Sequence, residues 1–188
     1  MVNLASKKLK LTTVMKSTTF VTERLLLKPT DKQDSAFILE LFNSPKFLQN
    51  IGDRNIRTLT DSRAYIREKI ISQHQRLGYG VYTIIPKGGH EKIGICGLFD
   101  REGLKGIDLG FAMLPSHEGK GYAFEAANKI KEVATEEYQL KCLLAITSKD
   151  NSTSQRLLER LDFYLRGSTR LPGNDEVLLL YGTPGCKS

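Results

Sequence analysis

Three stretches of the chain carry residue types whose spacing could do chemistry. In GFAMLPSHEGKGYAFEA, 110–126, an apolar run passes through Pro115 into a loop bearing Gly119 and Gly121, then directly into residues of helical period. Glycines let backbone amides turn inward with no Cβ in the way, and a helix N-terminus adds about half a positive charge. The stretch therefore reads as an anion site suited to a pyrophosphate, although an ordinary loop before a helix is the plainer alternative. It is not a nucleoside-triphosphate loop, because the G-x-x-x-x-G-K-[ST] spacing is missing. In NSTSQRLLERLDFYLRG, 151–167, Asn151 can cap a helix by accepting from the amide of Ser154. If both loops leave the same sheet edge, Asn151 and Ser154 stand beside whatever the glycine loop holds. Asp108, inside IDLGFAML, 107–114, is either a base or one half of an ion pair, and the ion pair is the plainer reading. Glu102 and Glu118 are weaker candidates for the base.

These groups need elements to position them. TERLLLKP, 22–29, reads as a first strand stopped by Pro29, which cannot donate to a ladder. Thr30 with Gln33 has capping-box spacing, and Phe37, Ile38, Leu41 and Phe42 recur at helical period, so a helix ends near Asn43. A second helix opens at Thr60 and Asp61, buries Ile66, Ile70 and Leu77 on one face, and closes at Gly78. The runs 80–87, 92–99 and 107–114 form a meander of antiparallel strands. Phe124, Ala127, Ile130, Ala134 and Tyr138 then mark a helix of about four turns. CLLAITS, 142–148, is apolar enough to be covered on both faces, which makes strand, helix and strand a βαβ crossover. A helix over 151–161 and two strands around a turn at 172–174 complete an α/β fold with one mixed sheet flanked by helices.

Composition narrows the function classes. The chain has 188 residues and a net charge of +7, with 40% hydrophobic and 26% charged residues, enough for one sizeable core. Lys7, Lys8, Lys10 and Lys16 fall in the first sixteen residues, so 1–16 reads as an N-terminal extension and 17–188 as a single domain. The remaining basic residues are interleaved with acidic ones, which argues against nucleic acid and suits a small anionic ligand. Cys96, Cys142 and Cys186 are widely spaced and His74, His90 and His117 are isolated, so neither a disulfide framework nor a metal site is expected. No secretory leader and no run of eighteen apolar residues is seen, which points to a cytoplasmic, reduced protein without a membrane span. Assembly is left open between monomer and homodimer.

Several of these motifs, in this order, resemble the GNAT acetyltransferase superfamily, and within it the Rim-type branch that acetylates N-termini of ribosomal proteins and other amines. TERLLLKP resembles that branch's opening strand, IGICGLF its central strand, IDLGFAMLP with HEGKGYAFEA the acetyl-CoA motif, and Asn151 to Phe163 the N-x-x-S helix that ends in L-G-F. The resemblance implies a sheet splayed into a V that holds the pantetheine arm. It implies that the backbone of Phe111, Ala112 and Met113 pairs with that arm. The amides of Gly119, Lys120, Gly121, Tyr122 and Ala123 then hold the pyrophosphate, and Asn151 and Ser154 line the thiol end. Three positions depart from the pattern: Ser116 stands for the usual Gln or Arg, Glu118 for a frequent Trp, and Asp162 for the glycine of L-G-F. Leu158 occupies the place where many members carry a tyrosine that protonates the departing thiolate; the resemblance makes Ser154, acting directly or through water, the nearest matching candidate for that role, with a structural hydroxyl the equal alternative.

The activity implied is direct transfer of acetyl from acetyl-CoA to an amine in a ternary complex, with a backbone amide on the oxyanion and no covalent enzyme. The acceptor bears on the base. At pH 7 a lysine amine of reference pKa about 10.4 is neutral in roughly one molecule in 2,500, whereas an α-amine near 8 is neutral in about one in ten. A chain with no obvious strong base thus points to an N-terminal or other low-pKa amine. The competing expectations are a catalytically silent acetyl-CoA-binding module and a ribosome-associated basic protein bound through its N-terminal lysines. The segments that would form an acceptor pocket, 43–60 and 168–176, carry no decisive chemistry.

Overall fold

The computed structural model describes residues 18–186; the expected extension, 1–16, lies outside them. Its strands are β1 (Phe20–Val21), β2 (Leu25–Pro29), β3 (Val81–Pro86), β4 (Gly94–Asp100), β5 (Ile107–Met113), β6 (Leu143–Ser148), β7 (Tyr164–Thr169) and β8 (Leu178–Gly182). They form one mixed sheet in the order β1-β2-β3-β4-β5-β6-β8-β7. All neighbours are antiparallel except β5 and β6, which are parallel and joined by a helical crossover. The helices are α1 (Ser35–Phe42), α2 (Pro45–Asn50), α3 (Leu59–Tyr65), α4 (Ser72–Leu77), α5 (Tyr122–Glu136) and α6 (Ser152–Arg160). A π-helical turn, Ile66–Ile71, makes α3 and α4 one continuous rod.

Alternation along the strands builds two apolar layers. On one face Leu25, Leu27, Tyr82, Ile84, Cys96, Leu98, Leu109 and Met113 pack against Ala126, Ala127, Ile130 and Val133 of α5. On the other, Val81, Ile95 and Leu114 meet Phe37, Ile38 and Leu41 of α1 and Ile66 and Ile70 of the long rod. Asp108, Gly110 and Ala112 alternate with Leu109 and therefore belong to this second face.

Local capping corrects two expectations. The first helical segment is capped by Asp31, whose carboxylate accepts from the amide of Gln33, not by Thr30. Thr30 is buried, and its hydroxyl is shared with that of Thr83 at 2.9 Å. The second helix is capped by Thr58 rather than Thr60, because Asp61 reaches back to the Thr58 amide while the Thr58 hydroxyl accepts from Asp61. Helix α2 was not anticipated; it starts on Pro45, which suits a first helical turn because no donor is needed there. The cysteine expectation is corrected as well. Cys142 and Cys186 form a disulfide, with Cα atoms 4.6 Å apart, that links the start of β6 to the C-terminal segment across 44 positions. A pair so distant in sequence leaves no local spacing to read, and the fully reduced chain expected from sequence is not what is found.

Candidate active site

β5 and β6 pair only at Ile107–Leu143 and Asp108–Leu144. Beyond that point β6 continues to pair with β8 as far as Ser148, and β5 continues to pair with β4 as far as Met113, so a V-shaped opening separates them. The amide of Leu114 donates to the carbonyl of Ile93 at 2.8 Å. Since successive peptide groups of a strand face opposite sides, Ala112 and Gly110 also turn theirs to β4, while Phe111 and Met113 turn theirs into the V. Of the three backbone positions expected to meet a pantetheine arm, Phe111 and Met113 thus turn their polar groups to the gap and Ala112 turns its own to β4. Thr147 lies on the β6 wall of the V. It is 6% exposed, and its hydroxyl has no hydrogen-bond partner among the described residues.

At the mouth of the V the chain makes a short turn, Pro115–His117, and enters the glycine loop. Gly119 and Gly121 adopt φ of 72° and 80°, which L side chains rarely do, and Gly121 is the N-cap of α5. The first amide of this region to find an intrahelical acceptor is that of Glu125, on Gly121 at 3.1 Å. Among the described residues the amides of Gly119, Lys120, Gly121, Tyr122 and Ala123 donate to no protein acceptor. They form the positive end of a helix 15 residues long. An orphaned hydroxyl in the V and unspent amides at its mouth fit a phosphopantetheine ligand.

Arg24 braces this loop, a role the sequence reading missed. Its Nη1 donates to the carbonyl of Lys120 at 3.0 Å, its Nε pairs with Glu125 at 2.6 Å, and its guanidinium lies 4.8 Å from the Tyr122 ring centroid. Glu125 also accepts from the Thr22 hydroxyl at 2.6 Å and the Arg24 amide at 2.8 Å. Burial raises the pKa of Glu125, but these hydrogen bonds and the Arg24 charge outweigh it and hold the carboxyl below its ordinary range. The signal was present in TER, 22–24, and in an acidic residue in the first turn of α5; only the fold joins them across about a hundred positions. The outer end of the loop is tied to α2 by an ion pair between Lys46 and Glu118. Ser116, which stands for the usual Gln or Arg, shares a hydrogen bond of 3.0 Å with its neighbour His117.

Because β5 and β6 are parallel, the glycine loop after one and Asn151–Ser154 after the other emerge at the same edge. Asn151 caps α6 as expected, accepting from the Ser154 amide at 3.1 Å. Ser154 is half-buried, and its hydroxyl has no partner among the described residues. Leu158 is 2% exposed and packs in the core, so no hydroxyl replaces the missing tyrosine at that place.

Asp108 sits at the closed end of the V, apart from the loop. It is 1% exposed and ion-paired to Arg101 from the β4–β5 hairpin, the alternative to a base. Burial pushes its pKa up, and the paired guanidinium opposes that. Glu102 and Glu118 are not brought to it: Glu102 follows Arg101 in an exposed turn, and Glu118 is spent on Lys46.

Among known families, the Acetyltransferase (GNAT) domain matches residues 24–164. The chain is 31% identical to YjdG of Bacillus subtilis, named an uncharacterized N-acetyltransferase, over 143 residues, 74% of this chain and 81% of that one. An acetyltransferase from Agrobacterium tumefaciens superimposes with a TM-score of 0.75 at 26% identity, over 88% of this chain and 93% of the other. The fold is also that of RimL, a ribosomal L7/L12 alpha-N-protein acetyltransferase solved with coenzyme A. That match has a TM-score of 0.74 at 20% identity and covers 87% and 95% of the two chains. No helix among the described residues is long and apolar enough to cross a membrane.

Proposed function

This chain belongs to the GNAT acetyltransferase family and is an acetyl-CoA-dependent N-acetyltransferase, and we propose that its acceptor is a low-pKa amine attacked without a side-chain base. The observation that carries the proposal is the pairing of Asp108, the carboxylate at the closed end of the gap between β5 and β6, with Arg101. The donor's pyrophosphate lies on the amides of Gly119, Lys120, Gly121, Tyr122 and Ala123. The pantetheine arm pairs with the backbone of Phe111 and Met113 and gives the Thr147 hydroxyl its partner.

A neutral amine enters from the face of the sheet opposite α5 and attacks the thioester carbonyl, whose developing charge is met by a backbone amide of the opened β5. The C–S bond then breaks, and Ser154, its backbone pinned by Asn151, relays a proton to the departing thiolate directly or through water and takes one back from solvent as it does so. The amine proton leaves to solvent. Asp108, committed to Arg101, is not assigned as the base, so the acceptor must supply its own neutral fraction; an α-amine does so about two hundred times better than a lysine at pH 7. A protein N-terminus and a small α-amine both meet this requirement.

We place the reaction in the cytoplasm, the compartment of acetyl-CoA. The Cys142–Cys186 pair tests that placement: alkylating thiols at the moment of lysis should find the two cysteines reduced in the cell, and a pair protected as the disulfide would overturn it. A screen of amines, including peptides of varied N-terminus, read by acetyl-CoA-dependent thiol release, tests the function. Turnover of α-amines above lysine side chains is expected. Tight acetyl-CoA binding with no turnover on any amine identifies a silent binding module instead.

A further inference from the structure

Arg101 is fixed on two sides and unspent on a third. Its Nε is held by Asp108 and its Cζ lies 4.8 Å from the Phe99 ring centroid, yet Nη1 and Nη2 meet no acceptor among the described residues. The side chain is 22% exposed, so solvent reaches it only in part. A guanidinium already immobilised loses little further freedom when it takes a planar anion, and its fork matches a carboxylate.

Its position is as telling as its geometry. Gly110 shares the face of Asp108, away from α5, and a Cβ there would stand 2.9 Å from the Phe99 ring and 3.4 Å from Nη2 of Arg101. The bare glycine lets both side chains lie over β5 just where it leaves β6. On the same hairpin, a Cβ on Gly103 would come within 2.5 Å of the Pro172 ring, so this hairpin abuts the β7–β8 turn. Arg101 therefore borders the narrow end of the V on the acceptor side, beside a segment expected to form the acceptor pocket.

We propose that Arg101 recognises a carboxylate of the acceptor, carried within about one residue of the reacting amine, and that Asp108 is its positioning residue. The inference rests on the acetyl-transfer reading. Asp108 keeps the guanidinium from being a buried unpaired charge in the free enzyme, and the open edge of the fork takes the second carboxylate. The acceptors selected are short peptides with a free C-terminus and peptide N-termini with Asp or Glu in the first two positions. Polyamines and amino sugars, which bring only positive charge, are selected against.

The test compares dipeptides with their C-terminal amides, which differ in one charge. In the wild type the free acid is expected to exceed the amide at least tenfold in kcat/KM. In Arg101→Ala that ratio falls to about one, through the KM of the acid, with the acetyl-CoA Kd unchanged. Asp108→Asn should raise the same KM, with Arg101→Lys recovering part of the preference. Removing one partner can strand a buried charge and unfold the protein; Arg101→Met with Asp108→Leu removes both and must also lose the preference. A wild type indifferent to the carboxylate, or an Arg101 variant that slows acid and amide alike, overturns the proposal. Calorimetric titration of the free-acid dipeptide into the protein–coenzyme A complex reads the same contact without turnover. Binding that Arg101→Ala abolishes supports the proposal even if no amine is acetylated, and binding that the variant leaves intact sinks it.

Discussion

The mouth of the V and its closed end use opposite materials. At the mouth, the groups offered to a ligand are backbone amides, made available by two left-handed glycines and the start of a long helix, while side chains such as Arg24 and Glu125 only hold that backbone in place. At the closed end the backbone is ordinary strand, and the chemistry is a side-chain pair, Arg101 with Asp108, laid over a glycine. A backbone grip depends on conformation and tolerates changes in neighbouring residue types, so a common donor can be held even though Ser116 and Glu118 depart from the usual pattern. A side-chain grip is set residue by residue and can differ between relatives that share one fold.

The largest expected effect falls where the two regions meet the thioester. Ser154→Ala should slow transfer by about 10²-fold, the usual scale for losing a positioned proton donor, with the melting temperature and acetyl-CoA affinity unchanged. Full turnover in this variant would give the thiolate's proton to water. Next is Gly121→Val: a left-handed conformation costs a branched residue on the order of 1–3 kcal/mol, and a Cβ there would stand 3.3 Å from the Arg24 guanidinium. Acetyl-CoA binding should weaken about ten- to a hundredfold by calorimetry; unchanged affinity would reduce the loop to a connector.

Smaller effects sharpen the contrast between capping and chemistry. Asn151→Ala loses a helix cap and should cost about 1 kcal/mol in denaturant unfolding, a loss that Ser154→Ala does not share. The smallest concerns acid. Because the carboxyl of Glu125 is held below its ordinary value in the fold, its contribution is present above the unfolded-state value and is lost as pH falls through the folded one. Glu125→Gln should therefore flatten the stability profile on the acid side and cost on the order of 1 kcal/mol at neutral pH. An acid limb that keeps its slope would show that other carboxylates, such as the buried Asp34, account for it.

What sequence reveals follows the same division. The meander, the crossover, the glycine loop, the Asn151 cap and the αL closure at Gly78 were legible because each is local: period, turn chemistry and capping act over a few residues. Thr30 and Thr60 were misread as caps because two acceptors stood close together and only packing chose between them; Thr30 is consumed by Thr83, far along the chain. The Arg24–Glu125 brace, the Cys142–Cys186 bond and the setting of Arg101 escaped because only the folded chain assembles them. Arg24–Glu125 and Cys142–Cys186 join distant positions. Arg101, though near Asp108 in sequence, gains meaning only from Phe99, Gly110 and the point where β5 leaves β6.

The central claim is that the loop and the opened strands hold acetyl-CoA rather than phosphate ligands at large. Thermal unfolding with matched concentrations of acetyl-CoA, ATP and NAD tests it most directly, since a ligand that binds only the folded state raises the midpoint in proportion to its affinity. Acetyl-CoA alone should raise it, because only its pantetheine arm can reach Phe111, Met113 and Thr147 inside the V. Equal stabilisation by ATP would contradict the account and leave the glycine loop a general anion site.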